Sequence, residues 1–354
     1  MKPTILVTGG AGYIGSHTSF YLAQQGYNVI VLDTLRHKQT LHPSSFVFAQ
    51  ELSRTSSDKD KIKVLDKDFS DQATLAEIFS TYNVQAVMHF AALIEVGESV
   101  KHPFAFYENN VIKTIKLLQT MIAYNVKQFV FSSSCAVYGT PDIVPIPENH
   151  PKNPISPYGK NKLMVEMCLE DCARAYGLQF ISLRYFNAAG ALDQEGLGEQ
   201  HDPETHLIPL ALKAAHENRP FYLFGDNYDT PDGSCVRDFL HVQDLASAHA
   251  QALHYLQKTK KSEFFNLGTG TGYSVKQVIA AIEKECGKKI AVQVKPRREG
   301  DPAKLIANPT KAKTMLQWQP CHSSLENIVA SAHRFYTNFY LNEKLPLDSF
   351  DTLL

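Results

Sequence analysis

Apolar residues arrive in short bursts along the first half of the chain, each ended by glycine, a small residue or an acid. Between the bursts the spacing relaxes to every third or fourth position, the rhythm of a helix with one buried face. Thr4 to Thr8 reads as a buried strand running into glycine, helical spacing follows from Ser16 to Gln25 and stops at Gly26, and Asn28 to Leu32 is a second strand ending at Asp33. Further strands are predicted at Lys63–Phe69, Ala86–Ala92, Gln128–Ser132 and Phe180–Tyr185. Helices are predicted at Leu75–Thr81, at Phe104–Asn125, and from Tyr158 to Tyr176, where Gly177 ends the run. Strands alternating with helices in this way predict an α/β chain, a Rossmann-type doubly wound parallel sheet closed by the strand at Phe180–Tyr185.

From Asn187 the pattern changes. Gly190 to Glu204 is loop-like, His206 to His216 helical, Pro220 to Phe224 a strand, and Asp226 to Ser234 rich in turns. Arg237 to Val242 reads as a return to the first domain, followed by a helix from Asp244 to Leu256, a strand at Phe264–Gly268 and helices at Ser274–Cys286 and Leu325–Leu341. These elements predict a smaller α+β domain. The Ser-, Lys- and Asp-rich stretch from Pro43 to Lys61 reads as a surface insertion, and the residues after Leu341 as a loosely held tail.

Composition narrows the function classes. With 354 residues, 44% hydrophobic and 20% charged, the chain can bury a substantial core. A formal charge of −1 offers no electrostatic attraction to nucleic acid or an anionic membrane surface. No run approaches the ~20 apolar residues of a membrane span, and the burst after Met1 is too short for a signal-peptide core. Cys135, Cys168, Cys172, Cys235, Cys286 and Cys321 form no Cys-x-x-Cys, which fits a reducing, cytoplasmic setting, and Cys168 and Cys172 share a helix face in a packing role.

Candidate chemistry begins at Gly9-Gly10-Ala11-Gly12-Tyr13-Ile14-Gly15, where Gly9, Gly12 and Gly15 fall three apart between a strand and a helix. Such glycines allow a tight turn and close approach of the backbone to a pyrophosphate, and the helix start offers free N–H groups to the phosphates. Asp33, ending the next strand, is placed to accept from an adenosine ribose and would repel a 2′-phosphate, which favours NAD over NADP. Asp68-Phe69 ends the third predicted strand near the adenine, and Ala91-Ala92 leaves room for a cofactor. Tyr158 and Lys162 lie four apart after Pro157, so one helix face carries both. An ammonium beside a phenol, together with a bound cationic nicotinamide, favours the phenolate and brings a pKa of about 10 towards the range of a general base. Ser134 ends a strand shortly before that helix and can set a hydroxyl beside the reacting oxygen. Arg237 and Arg298 suit a diphosphate. His89 reads as a packed histidine. His201 and His206 flank Asp202 and Glu204 at a spacing that matches no standard metal site, and no metal is expected.

Val7 to His17, His89 to Ala92, Ser132 to Ser134, Ser156 to Lys160, Leu183 to Asn187, Val236 to Asp238 and Pro296 to Asp301, in that order, resemble the NAD-dependent epimerase/dehydratases of the extended short-chain dehydrogenase/reductase family over residues 3 to 340. The resemblance implies an isomerase that interconverts UDP-glucose and UDP-galactose. C4 is oxidised by tightly bound NAD, the 4-keto sugar turns about its bond to the diphosphate, and hydride returns to the other face. It implies that Tyr158 is the base, that Lys162 lowers its pKa and bonds the nicotinamide ribose, and that Ser134 positions the 4-hydroxyl. By the same resemblance NAD lies along Gly9, Gly12, Tyr13, Ile14, Gly15, Asp33, Asp68, Phe69, Phe90, Ala91, Asn109, Lys162 and Phe186. The UDP-sugar is held by Asn187, the backbone of His206 and Leu207, Phe224, Arg237, Arg298 and Asp301, with Leu305 where pocket size governs N-acetyl sugars.

The family's second domain is discontinuous, which implies an NAD-binding part of residues 1–186 with 237–265 and a UDP-sugar part of 187–236 with 266–345. A homodimer through paired helices is implied as well. Thr34, Ile94, Ala136 and His206 depart from residues common in the family but leave the Tyr158–Lys162 pair intact. Three alternatives stay open. An epimerase for UDP-GlcNAc or UDP-glucuronate keeps the same residues. A nucleotide-sugar 4,6-dehydratase calls for an Asp-Glu pair where Cys135-Ala136 stand, and a non-catalytic NAD-sensing protein has no need of the Tyr158–Lys162 pair.

Overall fold

A computed structural model of the chain describes residues 3–35, 61–201, 203–298 and 300–342. The expected insertion at Pro43–Lys61, save Lys61 itself, the tail beyond residue 342, and Asp202 lie outside the described residues.

The first half alternates β1 (Thr4–Thr8), α1 (Tyr13–Gln24), β2 (Asn28–Asp33), β3 (Ile62–Asp66), α2 (Gln72–Thr81), β4 (Val84–His89), α3 (Val96–Lys101), α4 (Pro103–Tyr107), α5 (Lys113–Ala123), β5 (Gln128–Ser134), α6 (Pro157–Tyr176) and β6 (Gln179–Tyr185). The second half holds β7 (Asn187–Ala189), α7 (Leu207–Glu217), β8 (Phe221–Phe224), β9 (Val236–Arg237), β10 (Phe239–His241), α8 (Val242–Thr259) and β11 (Glu263–Leu267). Then come β12 (Tyr273–Ser274), α9 (Val275–Cys286), β13 (Val292–Lys295), β14 (Lys304–Leu305), α10 (Thr310–Met315) and α11 (Leu325–Tyr336).

Seven strands form one parallel sheet in the order β11-β6-β5-β4-β1-β2-β3, so the chain reverses its direction of growth between β1 and β4. This is the doubly wound fold, whose ligands sit outside the strand ends at the point of reversal. Successive strand residues face opposite ways. Ile5, Val7, Val29 and Val31 therefore pack with Phe20 and Leu22 of α1 and Leu245 and Leu253 of α8. Leu6, Ile30, Leu32, Phe129 and Phe131 pack on the other side with Leu75, Leu117, Val165 and Leu169. A third apolar cluster joins α7, α9 and α11 through Ile208, Leu212, Val278, Ile282, Ile328 and Val329.

Several elements differ from expectation for local reasons. The sheet does not close at β6, because β11 pairs with it in parallel from Glu263–Ile181 to Leu267–Tyr185. The expected division at 265/266 falls inside that strand. β3 stops at Asp66, and Asp68 then accepts from the Ser70 N–H at 2.9 Å in a turn. β4 stops at His89, since the N–H groups of Phe90 and Ala91 both donate to Thr8 O, at 2.9 and 3.1 Å. The long helix expected over Phe104–Asn125 is interrupted by one π-helical turn at Glu108–Ile112, a local device frequent beside functional sites.

Glu166 of α6 and Arg184 of β6 form a buried ion pair, each side chain 1% exposed, with two N–H···O contacts of 2.8 and 2.7 Å. Ser133 and Ser182 each donate to the same carboxylate at 2.8 Å, so helix, β5 and β6 meet on one charge. Removing one partner leaves the other charge buried alone, which costs about 3–5 kcal/mol. Glu166→Ala is expected to lower the urea midpoint by that much stability with an unchanged m-value. A shift within experimental error would show that the pair does not hold α6 to the sheet.

Candidate active site

Helix α6 is started by its own sequence. Ser156 is extended at the N-cap, its hydroxyl accepts from the Gly159 N–H at 3.1 Å, and Pro157 takes the first helical position, where no N–H is needed. Tyr158 follows in the first turn, its backbone N–H donating to Ser99 Oγ at 3.2 Å. Gly159 sets the approach of this turn to the end of β5: an added Cβ would stand 2.5 Å from Ala136 O. The phenol of Tyr158 and the hydroxyl of Ser134 are hydrogen-bonded as a result. One helical turn on, Lys162 Nζ donates to Ser132 O at 2.6 Å and lies 5.0 Å from the Phe131 ring centre and 5.7 Å from that of Tyr158.

Burial pushes the Tyr158 phenol up to about 12, outweighing the Ser134 hydrogen bond that lowers it. Burial also brings Lys162 down to about 7, against the attraction of Glu166, which favours its charged form. The ammonium does not by itself lower the phenol here, because both groups have left water and each charged form is disfavoured. A further positive charge over Tyr158 acts in the direction that base catalysis requires.

The glycine loop lies at the reversal point. Helix α1 starts at Tyr13, three residues before the expected Ser16, with Gly12 as an N-cap that has no side-chain cap and no acid in the first turn. Gly12 is exposed. Gly15 is packed so that a Cβ would meet Gly9 O at 2.1 Å. Asp33 ends β2 beside the loop, accepting from Ala11 N–H at 3.2 Å and Leu35 N–H at 3.1 Å. Tyr13 donates its hydroxyl to Gly190 O at 2.6 Å, Ile14 packs on the first core layer, and Phe90 lies tilted against His249 with ring centres 4.6 Å apart. Asp68 pairs with Lys113 at 2.5 Å, and Phe69 is buried edge-on to His89. An uncapped helix start, a crowded glycine turn and an acid at the next strand end together fit a dinucleotide.

Asn109 sits in the π-helical turn and donates to Asn110 Oδ1 at 3.0 Å; Asn110 in turn clamps both backbone groups of Leu93, at 2.8 and 2.9 Å. Asn110, Glu166 and Arg184 were missed at the level of sequence. A polar residue in the middle of an apolar run, such as Glu166 one turn after Lys162, is the signal that could have found them. His89 is a packed residue between Thr8 and Thr114, held down to about 3 by burial and by Lys162.

Part of the second lobe packs beside Cys135, the residue after Ser134. Phe186 and Cys135 share a buried cluster with Leu305 against it, and Leu305 is in register with Arg237. Arg237 is ion-paired with Asp301 and donates to Val236 O at 2.8 Å. Arg298 lies over the Phe224 ring at 4.1 Å. Asn187 donates its side-chain amide to Asp238 O at 3.1 Å. His206 is the extended N-cap of α7, just before Leu207, and its ring faces Glu199 and Glu204 rather than capping the helix. Burial notwithstanding, Glu199 and Glu204 raise His206 to about 10.

The sequence model of the NAD dependent epimerase/dehydratase family matches residues 5–268. A UDP-glucose 4-epimerase of Halalkalibacterium halodurans is 47% identical over 345 residues, covering 96% of this chain and 98% of its own. The crystal structure of UDP-glucose 4-epimerase from Brucella ovis in complex with NAD shares 43% identity with a TM-score of 0.85, covering 94% of this chain and 97% of its own. The UDP-Glc/GlcNAc 4-epimerase of Campylobacter jejuni shares 40% identity with a TM-score of 0.81, over 95% of this chain and 99% of its own.

Gly15→Ala is expected to cost about 1–3 kcal/mol through overpacking and to open the turn between Gly9 and α1. Protein purified from that variant should release far less dinucleotide on denaturation than the parent. An undiminished yield would separate the loop from dinucleotide binding.

Proposed function

The chain belongs to the NAD dependent epimerase/dehydratase family, and on that premise we propose that it is a UDP-glucose 4-epimerase, interconverting UDP-glucose and UDP-galactose. The observation that carries the reading is the set Tyr158, Ser134 and Lys162, gathered at the strand ends beside an uncapped glycine loop. NAD, held along that loop, Asp33 and the 90–91 turn, supplies the reversible hydride acceptor.

Tyr158 takes the proton of the sugar 4-hydroxyl and gives it back after inversion. Ser134, bonded to the same phenol, orients that hydroxyl, and the Lys162 amine, fixed on Ser132 O, supplies positive charge to the proton's path. Arg237 and Arg298 take the diphosphate, and the ring of Phe224 under Arg298 gives the nucleotide a flat apolar wall. Anchoring through the nucleotide leaves the hexose few fixed contacts, which the rotation of a 4-keto sugar requires. Leu305 against Phe186 and Cys135 narrows the sugar end. Acceptance of an N-acetyl group turns on that side chain, so UDP-GlcNAc is the second substrate to assay.

The division into two parts follows the same logic. We place β11 wholly with the NAD-binding part, since it pairs with β6 along its full length. Among the described residues no helix is long and apolar enough to cross a membrane; free cysteines without a paired motif support a reducing, cytoplasmic setting. A homodimer is supported by an apolar face on α3, α4 and α6, where Val100 is 63% exposed, Phe104 87% and Met167 56%.

Tyr158→Phe is expected to keep its bound NAD and lose at least about 100-fold in turnover in a coupled assay of UDP-galactose, run beside UDP-GlcNAc. Near-normal turnover would reject the role given to Tyr158. Phe104→Glu is expected to shift the protein from dimer to monomer in analytical ultracentrifugation. A parent protein that sediments as a monomer would remove the dimer.

A further inference from the structure

Four side chains of the loop ahead of α7 converge on one point: Glu199, His201, Glu204 and His206. One coordinating atom from each lies within 4.8 Å of the others. His206 Nδ1 is 3.0 Å from Glu199 Oε1 and 3.2 Å from Glu204 Oε1, while His201 Nδ1 is 3.5 Å from Glu199 Oε1 and 3.7 Å from Glu204 Oε2. Donors held tetrahedrally on zinc at 2.0–2.2 Å stand about 3.3–3.6 Å apart, and the four separations straddle that edge. His201 Nδ1 is shut off from solvent and faces the carboxylates of Glu199 and Glu204 at 3.5 and 3.7 Å.

We propose that Glu199, His201, Glu204 and His206 form a tetrahedral site for a divalent metal, with zinc as the ion. Two imidazoles and two carboxylates are a donor set that zinc takes readily, without a thiolate. The spacing Glu-x-His-x-x-Glu-x-His escapes a motif search because a loop, not a helix, folds the donors inwards. An imidazole binds metal as its free base, so loading expels the protons that the carboxylates otherwise hold on the rings. The ion would tie the loop 199–206 to the start of α7, independently of the reaction at Tyr158.

A second group, His216, Cys286 and His333, also falls within 4.8 Å. It offers three donors, its two ring Nε2 atoms already bond one another at 3.0 Å, and Lys288 Nζ stands 3.3 Å from His216 Nδ1. A neighbouring ammonium opposes a cation there.

The test uses the full-length protein with its NAD, stripped with dipicolinate and titrated with Zn²⁺ at pH 8 by calorimetry. Retained metal is counted by mass spectrometry after desalting. One zinc per chain is expected, with affinity falling at least about 100-fold in His201→Ala and in Glu204→Gln and unchanged in His333→Ala. Circular dichroism identifies any variant that fails to fold, in which case Glu199→Gln takes its place. Co²⁺ in the same site should give the intense visible bands of tetrahedral coordination. Absence of stoichiometric zinc from the parent protein overturns the proposal and leaves an ion-pair cluster. Zinc that survives the loop variants and leaves with His333→Ala overturns it too.

Discussion

A lysine amine kept out of water between two aromatic rings, with one backbone carbonyl to hold it, is the constraint on which the site depends. Lys162 can occupy that place only because Ser132 O is presented at 2.6 Å, and that carbonyl belongs to the end of a strand buried on both faces. Any slip of α6 along the sheet would leave the amine without its acceptor in an apolar setting, at a cost of several kcal/mol. The Glu166 carboxylate prevents the slip. It gathers Ser133, Ser182 and Arg184 one turn below Lys162, so the residues flanking Ser132 and the helix bearing Tyr158 move as one body.

The same burial gives the pair its chemistry. A phenol pushed up and an amine brought down are two groups whose charged forms are both disfavoured alone and favoured together. A positive charge brought near the phenol favours its ionised form. The parallel sheet supplies the location: with Thr8 O engaging both Phe90 and Ala91, the ends of β1 and β4 are drawn together beneath the glycine loop, and β5 delivers Ser134 beside them.

The second lobe contributes through short strands rather than a large sheet. The pairing of β9 with β14 sets Arg237 beside Leu305, and the Asp301 carboxylate holds the guanidinium in place. Asp238 accepts from the N–H groups of Thr269, Gly270 and Ala307, locking the chain's return to the first lobe.

Taken alone, the sequence determined the alternation of strands and helices, the glycine turn, and the start of α6 at Ser156-Pro157, because each is written in neighbouring residues: apolar period, caps and breakers. It also marked Tyr158 and Lys162, since helical spacing puts them on one face wherever the helix lies. The tertiary structure decided what depends on distant segments. β11 joins the sheet from eighty residues away, and the helix after Phe104 takes a π-helical turn that sets Asn110 against Leu93. Glu166 meets Arg184 across two elements, and Glu199 joins His201, Glu204 and His206 in a group for which the sequence had put forward Asp202 instead. The sign of the Tyr158 shift belongs to the same class. Spacing can place a charge near a phenol, but how far both have left the water is a property of the packed core.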